Sequence, residues 1–262
     1  MSEPHFLPVI VGVKEPYPYM TVNTDASYAN YHLYSDLLHA GFLDKEKADA
    51  VIKFREKGGG ELLGMSRFAD WLDDWPAVGY GWAFINYDYV DKLLVLYYGH
   101  MAHHQNRGTF LAYESINFKD VDRKGRLPKA DHCIPSTLVV PHLTRLMLIF
   151  EERDRNIVWL NKVAPRRWFE DGKEIRVQDA VTRFGRLSYN IKSQISQKII
   201  ICELSIPKDF KANIYLRLRP PNGYKIQKVE LNDKEWSKFD VEKEIIIIPR
   251  VAKGDIKIKV YY

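Results

Sequence analysis

The spacing of apolar residues changes along this chain, from a helical spacing in the first part to alternation in the last. Residues 27–57 and 86–104, and the segment that Pro135 opens, carry apolar side chains at three- and four-residue intervals. From about Asn156, apolar and polar residues alternate over short stretches separated by turn signals such as Asp171-Gly172. These periods are typical of amphipathic helices and of half-buried strands, respectively. The sequence therefore predicts a multidomain α+β protein, with helical hairpins over residues 1–154 and an antiparallel β-sandwich over residues 155–262.

Capping residues and turns define the predicted elements more closely. Thr24-Asp25 offers an N-cap for the first helix of the hairpin and Asp44 for the second, which the run Gly58-Gly59-Gly60 ends. Short strands with turns between them are typical of a sandwich. The predicted strands cover residues 157–160, 174–177, 186–192, 198–206, 213–219, 225–231, 244–248 and 256–262.

The net charge of +5 is unevenly distributed. Residues 1–150 carry 15 Lys and Arg against 18 Asp and Glu, whereas residues 151–262 carry 24 against 16. A basic half could indicate a nucleic-acid surface. Its lysines alternate with apolar residues, however, as at Lys257 and Lys259, which is typical of the solvated face of a half-buried strand. We therefore expect no nucleic-acid partner.

Other signals exclude several classes of protein. Cys133 and Cys202 lie far apart, in different halves, and so indicate neither a disulfide framework nor a metal site. The N-terminus lacks a basic region followed by an apolar run, so no signal peptide is expected and the location is cytoplasmic or unknown. The most apolar runs are far too short to span a membrane. We expect no membrane partner and no cofactor.

Aromatic residues and carboxylates are mixed densely between Met65 and Asn117, in segments expected to be loops between helices. Aromatic faces stack on sugar rings, and carboxylates bind hydroxyls or act as acids and bases. The mixture indicates the lining of a carbohydrate cleft. The alternative is a set of amphipathic helices whose acids face water. The acids are Asp70, Asp73, Asp74, Asp88, Asp91 and Glu114.

Three histidines near the end of the helix predicted over residues 86–104 invite a metal interpretation. His100 and His104 lie four residues apart, on one helical face. The zinc-protease motif needs a glutamate after its first histidine, and Met101 occupies that position. We expect no metal here, and we expect His103 and His104 to contact sugar hydroxyls or to pack in the interior.

Several segments resemble six-hairpin, (α/α)-toroid glycoside hydrolases with a terminal β-sandwich. GYGWAFINY at residues 79–87 resembles a site loop and helix start of inverting glucosidases in this superfamily. GTFLAYE at residues 108–114 resembles a later stretch that places a catalytic carboxylate, and DHCIPS at residues 131–136 resembles the opening of the final toroid helix. Residues 159–168 resemble the first strands of the terminal sandwich.

The resemblance implies a partial toroid. A complete toroid has twelve helices, and residues 1–154 have room for about four to six of ordinary length. The missing half would leave apolar helix surface exposed. We therefore expect a homodimer or an N-terminal sister chain that completes the toroid, and a carbohydrate as ligand.

The resemblance also implies inverting hydrolysis, in which an acid and a base lie about 6.5–9.5 Å apart. Glu114 is the first candidate for the base, because Arg107 would favour its ionised form. Asp74 and Asp73 are candidates for its partner, and that partner could also be absent from this chain. In the alternative interpretation, Glu114 is an exposed loop residue and the two aspartates are surface or capping residues. The candidate substrate-binding residues are Trp75, Trp82, Tyr87, Arg107, Tyr113, His103 and His104.

Two other functions stay open from the sequence. A non-catalytic carbohydrate-binding or subunit protein would keep the aromatic cleft and lack the second carboxylate. A structural or interaction fragment of a larger glycosidase would need neither. For the aromatic residues, packing between helices is the alternative to sugar stacking.

Overall fold

The computed structural model describes residues 34–68, 70–117, 132–252 and 254–262. The chain divides into two compact units, Met1–Leu146 and Met147–Tyr262. Helices and mostly antiparallel sheets make it a mixed α+β protein. The N-cap predicted at Thr24-Asp25 lies outside the described residues, and among those described no helix is long and apolar enough to cross a membrane.

The helices belong mainly to the first unit. Residues 34–40 are helical. The further helices are α1 (Lys45–Lys57), α2 (Ala77–Asn86), α3 (Val90–His103) and α4 (Ile134–Leu148). The predicted cap of α1 is confirmed, because the Asp44 side chain accepts a hydrogen bond from the Lys47 backbone N–H at 2.9 Å. The helix predicted over residues 86–104 begins later, at Val90, since residues 87–89 separate it from α2.

The first unit also contains an antiparallel sheet where the sequence predicted loops. The strands β1 (Glu61–Leu62), β2 (Met65–Phe68), β3 (Trp71–Asp73) and β4 (Ser115–Asn117) are hydrogen-bonded in that order. The expectation of loops between helices is wrong for these residues. Strands of two to four residues are too short to display an alternating pattern, so the period could not reveal them.

Close backbone approaches determine how the helices of the first unit pack. A Cβ atom at Gly79 in α2 would lie 2.1 Å from the Ser35 carbonyl oxygen. The Ser35 hydroxyl also donates a hydrogen bond to the Pro76 carbonyl at 2.9 Å. Only glycine allows this approach of helical residues 34–40 to α2, because any larger side chain would overlap the neighbouring backbone.

The second unit consists of two sheets. The strands are β5 (Ile149–Glu151), β6 (Ile157–Leu160), β7 (Glu174–Thr182), β8 (Gly185–Gln194), β9 (Ile199–Ile206), β10 (Asn213–Arg217), β11 (Lys228–Leu231), β12 (Lys234–Glu235), β13 (Phe239–Asp240), β14 (Ile245–Ile248) and β15 (Gly254–Tyr261). The five-stranded sheet has the order β13-β14-β10-β6-β5, and the six-stranded sheet has the order β12-β11-β15-β9-β8-β7. Both sheets contribute to one buried core, Val158, Leu216 and Ile246 from one and Leu204 and Ile258 from the other.

The predicted strands of the second unit are found, with two kinds of departure. The pairing of β6 with β10 is parallel, whereas the sequence analysis expected antiparallel strands throughout. Strand β5 was expected to be the end of a helix, because Ile149 and Phe150 continue the apolar pattern of α4. The two-residue strands β12 and β13 were not predicted.

Candidate active site

The four-stranded sheet brings two of the candidate acids together. Asp73 ends β3 and pairs with Ser115, the first residue of β4. This register places Asp74 beside Glu114, and the Asp74 backbone N–H donates a hydrogen bond to the Glu114 carbonyl at 3.1 Å. Residues that are distant in sequence therefore meet at the edge where β3 ends and β4 begins.

The Asp74 side chain is buried, with 1% of the residue exposed. Its Oδ1 accepts a hydrogen bond from the Ser136 hydroxyl at 2.9 Å, and its Oδ2 lies 3.1 Å from His100 Nε2. Burial raises the pKa of Asp74 to about 7, and the neighbouring charges of Asp73 and Glu114 also raise it, against the lowering effects of His104 and Ser136. A buried carboxyl group with this pKa can hold a proton at neutral pH.

Two stacked histidines lie beneath this carboxyl group. His100 and His104 are fully buried in α3 and its C-cap, with ring centroids 5.4 Å apart. Burial lowers the pKa of each to about 4, so both rings are neutral at pH 7. His104 Nδ1 donates to the Tyr113 carbonyl at 2.8 Å, and its Nε2 has no hydrogen-bond partner among the described residues. Among all the residues that the structure describes, no group of three or more His, Cys, Asp or Glu is arranged to hold a metal ion.

Residues at the start of α4 extend the hydrogen-bonded chain. Ser136 is buried in the first turn, and its hydroxyl lies 2.8 Å from the Cys133 thiol. Because the Ser136 hydroxyl donates its proton to Asp74, the thiol is the donor to Ser136. The sequence analysis assigned residues 131–136 to a helix start and did not connect Ser136 with Asp74. A serine in the first turn of a helix rich in apolar residues was the signal that could have indicated it.

A cavity of about 220 Å³ opens beside Asp74. Its lining includes Ser35, His39, Asp74, Trp75 and Ser136. Trp75 is half exposed, at 49%, and its backbone N–H donates to Asp73 Oδ1 at 2.9 Å. The cavity is smaller than the roughly 300–1,000 Å³ of drug-sized ligand pockets, so it suits one small polar molecule next to an indole ring.

The other candidate residues do not line this cavity. Trp82 is buried and packs edge-on against His39, with ring centroids 6.2 Å apart. The Tyr87 hydroxyl donates to the Leu43 carbonyl at 2.5 Å, which is a structural contact. Tyr113 stacks on His132 at 4.1 Å. Glu114 and His103 are half-buried, and Arg107 is exposed.

Apolar side chains are exposed on two helices of the first unit. On α3 they are Val95, Tyr98 and Met101, which are 53%, 48% and 38% exposed. Ile134 and Leu138 are exposed in the same way on α4. Spacings of three and four residues place each set on one helical face. Apolar side chains exposed on one helical face form a candidate interaction surface.

No protein-family model matches the sequence, and no curated protein matches it. The fold is similar to parts of solved glycoside hydrolases. The match to a GH127 β-arabinofuranosidase covers 89% of this chain and 42% of the arabinofuranosidase chain, at 13% identity and a TM-score of 0.45. The match to a GH127 β-L-arabinofuranosidase from Geobacillus stearothermophilus T6 covers 90% of this chain and 41% of that enzyme's chain, at 12% identity and a TM-score of 0.42.

The match to a Streptomyces avermitilis α-L-rhamnosidase, complexed with L-rhamnose, covers 91% of this chain and 22% of the rhamnosidase chain, at 11% identity and a TM-score of 0.44. These structures are glycoside hydrolases, the general class of enzyme to which the resemblance in the sequence also points. The chain spans less than half the length of each.

Proposed function

We propose that this chain is the C-terminal part of a six-hairpin glycoside hydrolase, with a helical-hairpin domain up to about residue 154 and a β-sandwich from residue 155. Its proposed reaction is inverting hydrolysis of a glycosidic bond. The observation that carries the proposal is Asp74, a buried acid with its pKa raised to about 7, which lines a small cavity with Trp75 and is hydrogen-bonded through its backbone to Glu114.

Asp74 and Glu114 take different roles in this proposal. A carboxyl group that keeps its proton near neutral pH suits the general acid, so Asp74 would donate its proton to the glycosidic oxygen as the bond to the anomeric carbon breaks. Glu114 would accept a proton from the water whose oxygen attacks that carbon from the opposite face. After one turnover Asp74 is ionised and Glu114 is protonated, and exchange with solvent restores both.

Asp73 and Trp75 would act on the position of the sugar. Asp73 Oδ1 accepts the Trp75 backbone N–H, which holds the segment that presents the indole ring. We assign Asp73 as a positioning residue and Trp75 as the stacking platform. His103, His104, Trp82, Tyr87, Arg107 and Tyr113 remain proposed substrate-binding residues, and of these Arg107 and Tyr113 are nearest to Glu114 in sequence.

The test is hydrolysis of aryl glycosides that include a β-L-arabinofuranoside and an α-L-rhamnoside, with product anomers followed by NMR. We expect Asp74→Asn and Glu114→Gln each to reduce kcat by about 10²–10⁴-fold. Asp91→Asn, which alters an exposed acid on α3, is the matched control and leaves kcat unchanged. Full activity in Glu114→Gln would remove this residue from the mechanism, and products of retained configuration would contradict inversion.

The second candidate function is carbohydrate binding without catalysis. It is favoured by the position of Glu114, which does not line the cavity beside Asp74. A wild-type chain that hydrolyses none of the glycosides but binds a monosaccharide calorimetrically, with binding lost in Trp75→Ala, would support this function. No binding and no hydrolysis would contradict both.

We further propose that a second copy of the chain, or an N-terminal sister chain, covers the exposed apolar faces of α3 and α4. The support is the helical spacing of Val95, Tyr98 and Met101, and of Ile134 and Leu138. In this proposal the covering helices supply the missing part of the toroid.

A further inference from the structure

The six-stranded sheet of the second unit carries a cleft of about 480 Å³ on its outer face. This volume lies within the roughly 300–1,000 Å³ that small-molecule sites occupy. The residues that line it belong to β7, β8, β9 and β15 and, in the case of Asn232, to the turn after β11, and none of them belongs to the site around Asp74.

The strand register aligns four polar residues across this cleft. Arg176 pairs with Asn190, Asn190 with Glu203, and Glu203 with Lys257. Residues directly opposite on neighbouring strands have Cβ atoms about 4.5–5.5 Å apart, so the four side chains form one continuous row. A second row, formed by Ser188, Ser205 and Asp255, runs beside the first.

Alternation along the strands keeps these rows away from the core. Tyr189, Leu204 and Ile256 are buried and alternate with residues of the two rows. The row residues Arg176, Glu203 and Lys257 are exposed, and Asn190 is half-buried. The cleft is therefore a polar surface over an apolar interior, open to a soluble ligand.

The charged groups of the first row are available to a ligand. Arg176 pairs with Glu174 at 2.9 Å, but both side chains are exposed, and such surface pairs are weak enough to yield to a ligand. Glu203 and Lys257 face each other in register without an ion pair between them or to other described residues. The Asn190 amide oxygen is buried and has no hydrogen-bond donor in the described part of the chain.

We propose that this row binds an acidic oligosaccharide, of which one carboxylate contacts Arg176, another contacts Lys257, and hydroxyls between them contact Asn190 and Glu203. A guanidinium and an ammonium group at the two ends form charge-assisted hydrogen bonds with carboxylates. An amide and a carboxylate between them accept hydrogen bonds from hydroxyl groups, and the amide also donates. The C-terminal half as a whole carries an excess of basic residues, which attracts anions to it at long range.

An irregularity of β7 favours a soluble ligand over another strand at this edge. β7 is the outermost strand of the sheet, and its register with β8 shifts between Val177 and Ala180. Bulges of this kind twist an edge strand and prevent it from pairing with another chain. The site does not use Asp74 or Glu114, so it stands independently of the proposed hydrolysis.

The experiment is calorimetric titration of the full chain with tetragalacturonate and, for comparison, with the neutral β-1,4-galactotetraose. We expect tetragalacturonate to bind at least about tenfold more tightly, with an affinity that falls as salt is added. Lys257→Met and Arg176→Met should each weaken this binding by about tenfold, the effect of one charge-assisted hydrogen bond. The matched control is Lys192→Met, which removes a charge from the same face of β8 without altering the cleft lining and should change affinity less than about twofold.

Equal affinity for the two oligosaccharides, or no binding of tetragalacturonate, would overturn the proposal. So would an equal loss in Lys192→Met, because it would indicate non-specific attraction to a basic surface. Asp74→Asn and Glu114→Gln should retain full tetragalacturonate binding, and a loss in either would place the bound oligosaccharide in the first unit instead. Thermal unfolding of each variant checks that the fold is intact.

Discussion

The Nε2 atom of His100 lies 3.1 Å from Oδ2 of Asp74, and both side chains are buried. Burial shifts the two groups toward their neutral forms, since it raises the pKa of the carboxyl group to about 7 and lowers the pKa of the imidazole to about 4. At pH values between these two pKa values, Asp74 is therefore a neutral acid beside the neutral base His100. Because these pKa values differ from those of the unfolded chain, the contribution of the pair to the free energy of unfolding must depend on pH.

Asp74→Asn should change the dependence of stability on pH. The folded-state pKa of Asp74, about 7, is above its unfolded value of 3.8, so its contribution is fully present below pH 3.8 and is lost as pH rises toward 7. Asparagine mimics the protonated form at every pH. The unfolding free energy of the variant, relative to that of the wild type, should therefore rise by up to about 4 kcal/mol between pH 4 and pH 7.5.

Urea unfolding at pH 4, 6 and 7.5 measures this difference. Asp91→Asn, at an exposed position, serves as the control and should shift stability by less than about 1 kcal/mol at each pH. A constant difference between Asp74→Asn and the wild type would mean that Asp74 is ionised throughout this range.

The longer strands of the second unit could be predicted where they satisfy the alternating pattern locally, as β8 and β9 do. In β8, buried Leu187, Tyr189 and Ile191 alternate with more exposed residues, and the sequence displays the same alternation. The parallel pairing of β6 with β10 could not be predicted, because a period of two is the same for either direction of the neighbouring strand.

The candidate site was predictable only in part. The aromatic and acidic composition indicated Asp74 and Trp75, which do line one cavity. The contact of Asp74 with Ser136 and His100 depends on how α3 and α4 pack, and local patterns contain no information on such long-range contacts. The pairing of β3 with β4 was missed for the same reason, although it brings Asp74 to Glu114.

Gly79→Ala should destabilise the first unit strongly. Its new Cβ atom would lie 2.1 Å from the Ser35 carbonyl oxygen, and this backbone cannot move without shifting helical residues 34–40. Overpacking of this kind costs about 1–3 kcal/mol. Gly81→Ala in the same helix is the control, because its Cβ would meet only the flexible Leu143 side chain, at 2.6 Å. Equal losses of unfolding free energy in the two variants would contradict the close approach at Gly79.

The exposed face of α3 should cause the chain to self-associate. Val95 and Tyr98 are about half exposed, and contiguous apolar surface favours burial against a partner. Sedimentation velocity should therefore detect a dimer whose fraction rises with concentration. The double variant Val95→Glu, Tyr98→Glu should remain monomeric, whereas Val181→Glu, at an exposed apolar residue of β7, should not alter the dimer. A wild-type chain that stays monomeric at all concentrations would count against the covered face.

Glu244→Gln should destabilise the second unit because Glu244 links two arginines. Its carboxylate contacts Arg166 Nη1 at 2.7 Å and Nη2 at 3.1 Å, and it lies 3.7 Å from Arg219 Nε. Glu244 and Arg219 are both buried, so removing the negative charge leaves Arg219 with less compensation in a poorly solvated position. Breaking a buried pair costs about 3–5 kcal/mol, and the partial exposure of Arg166 reduces this to roughly 2–3 kcal/mol.

Glu242→Gln is the matched control for this prediction. Glu242 lies two residues away and pairs with Lys225 at 2.8 Å, but its side chain is 81% exposed. Such a surface pair is worth about 0–1 kcal/mol, so the control should unfold at nearly the wild-type urea concentration. Adding 0.5 M salt should reduce the small effect of the control further, because exposed charges are screened, while the effect of Glu244→Gln should persist. Similar midpoints for the two variants would mean that the Glu244 pairs contribute no more than surface contacts.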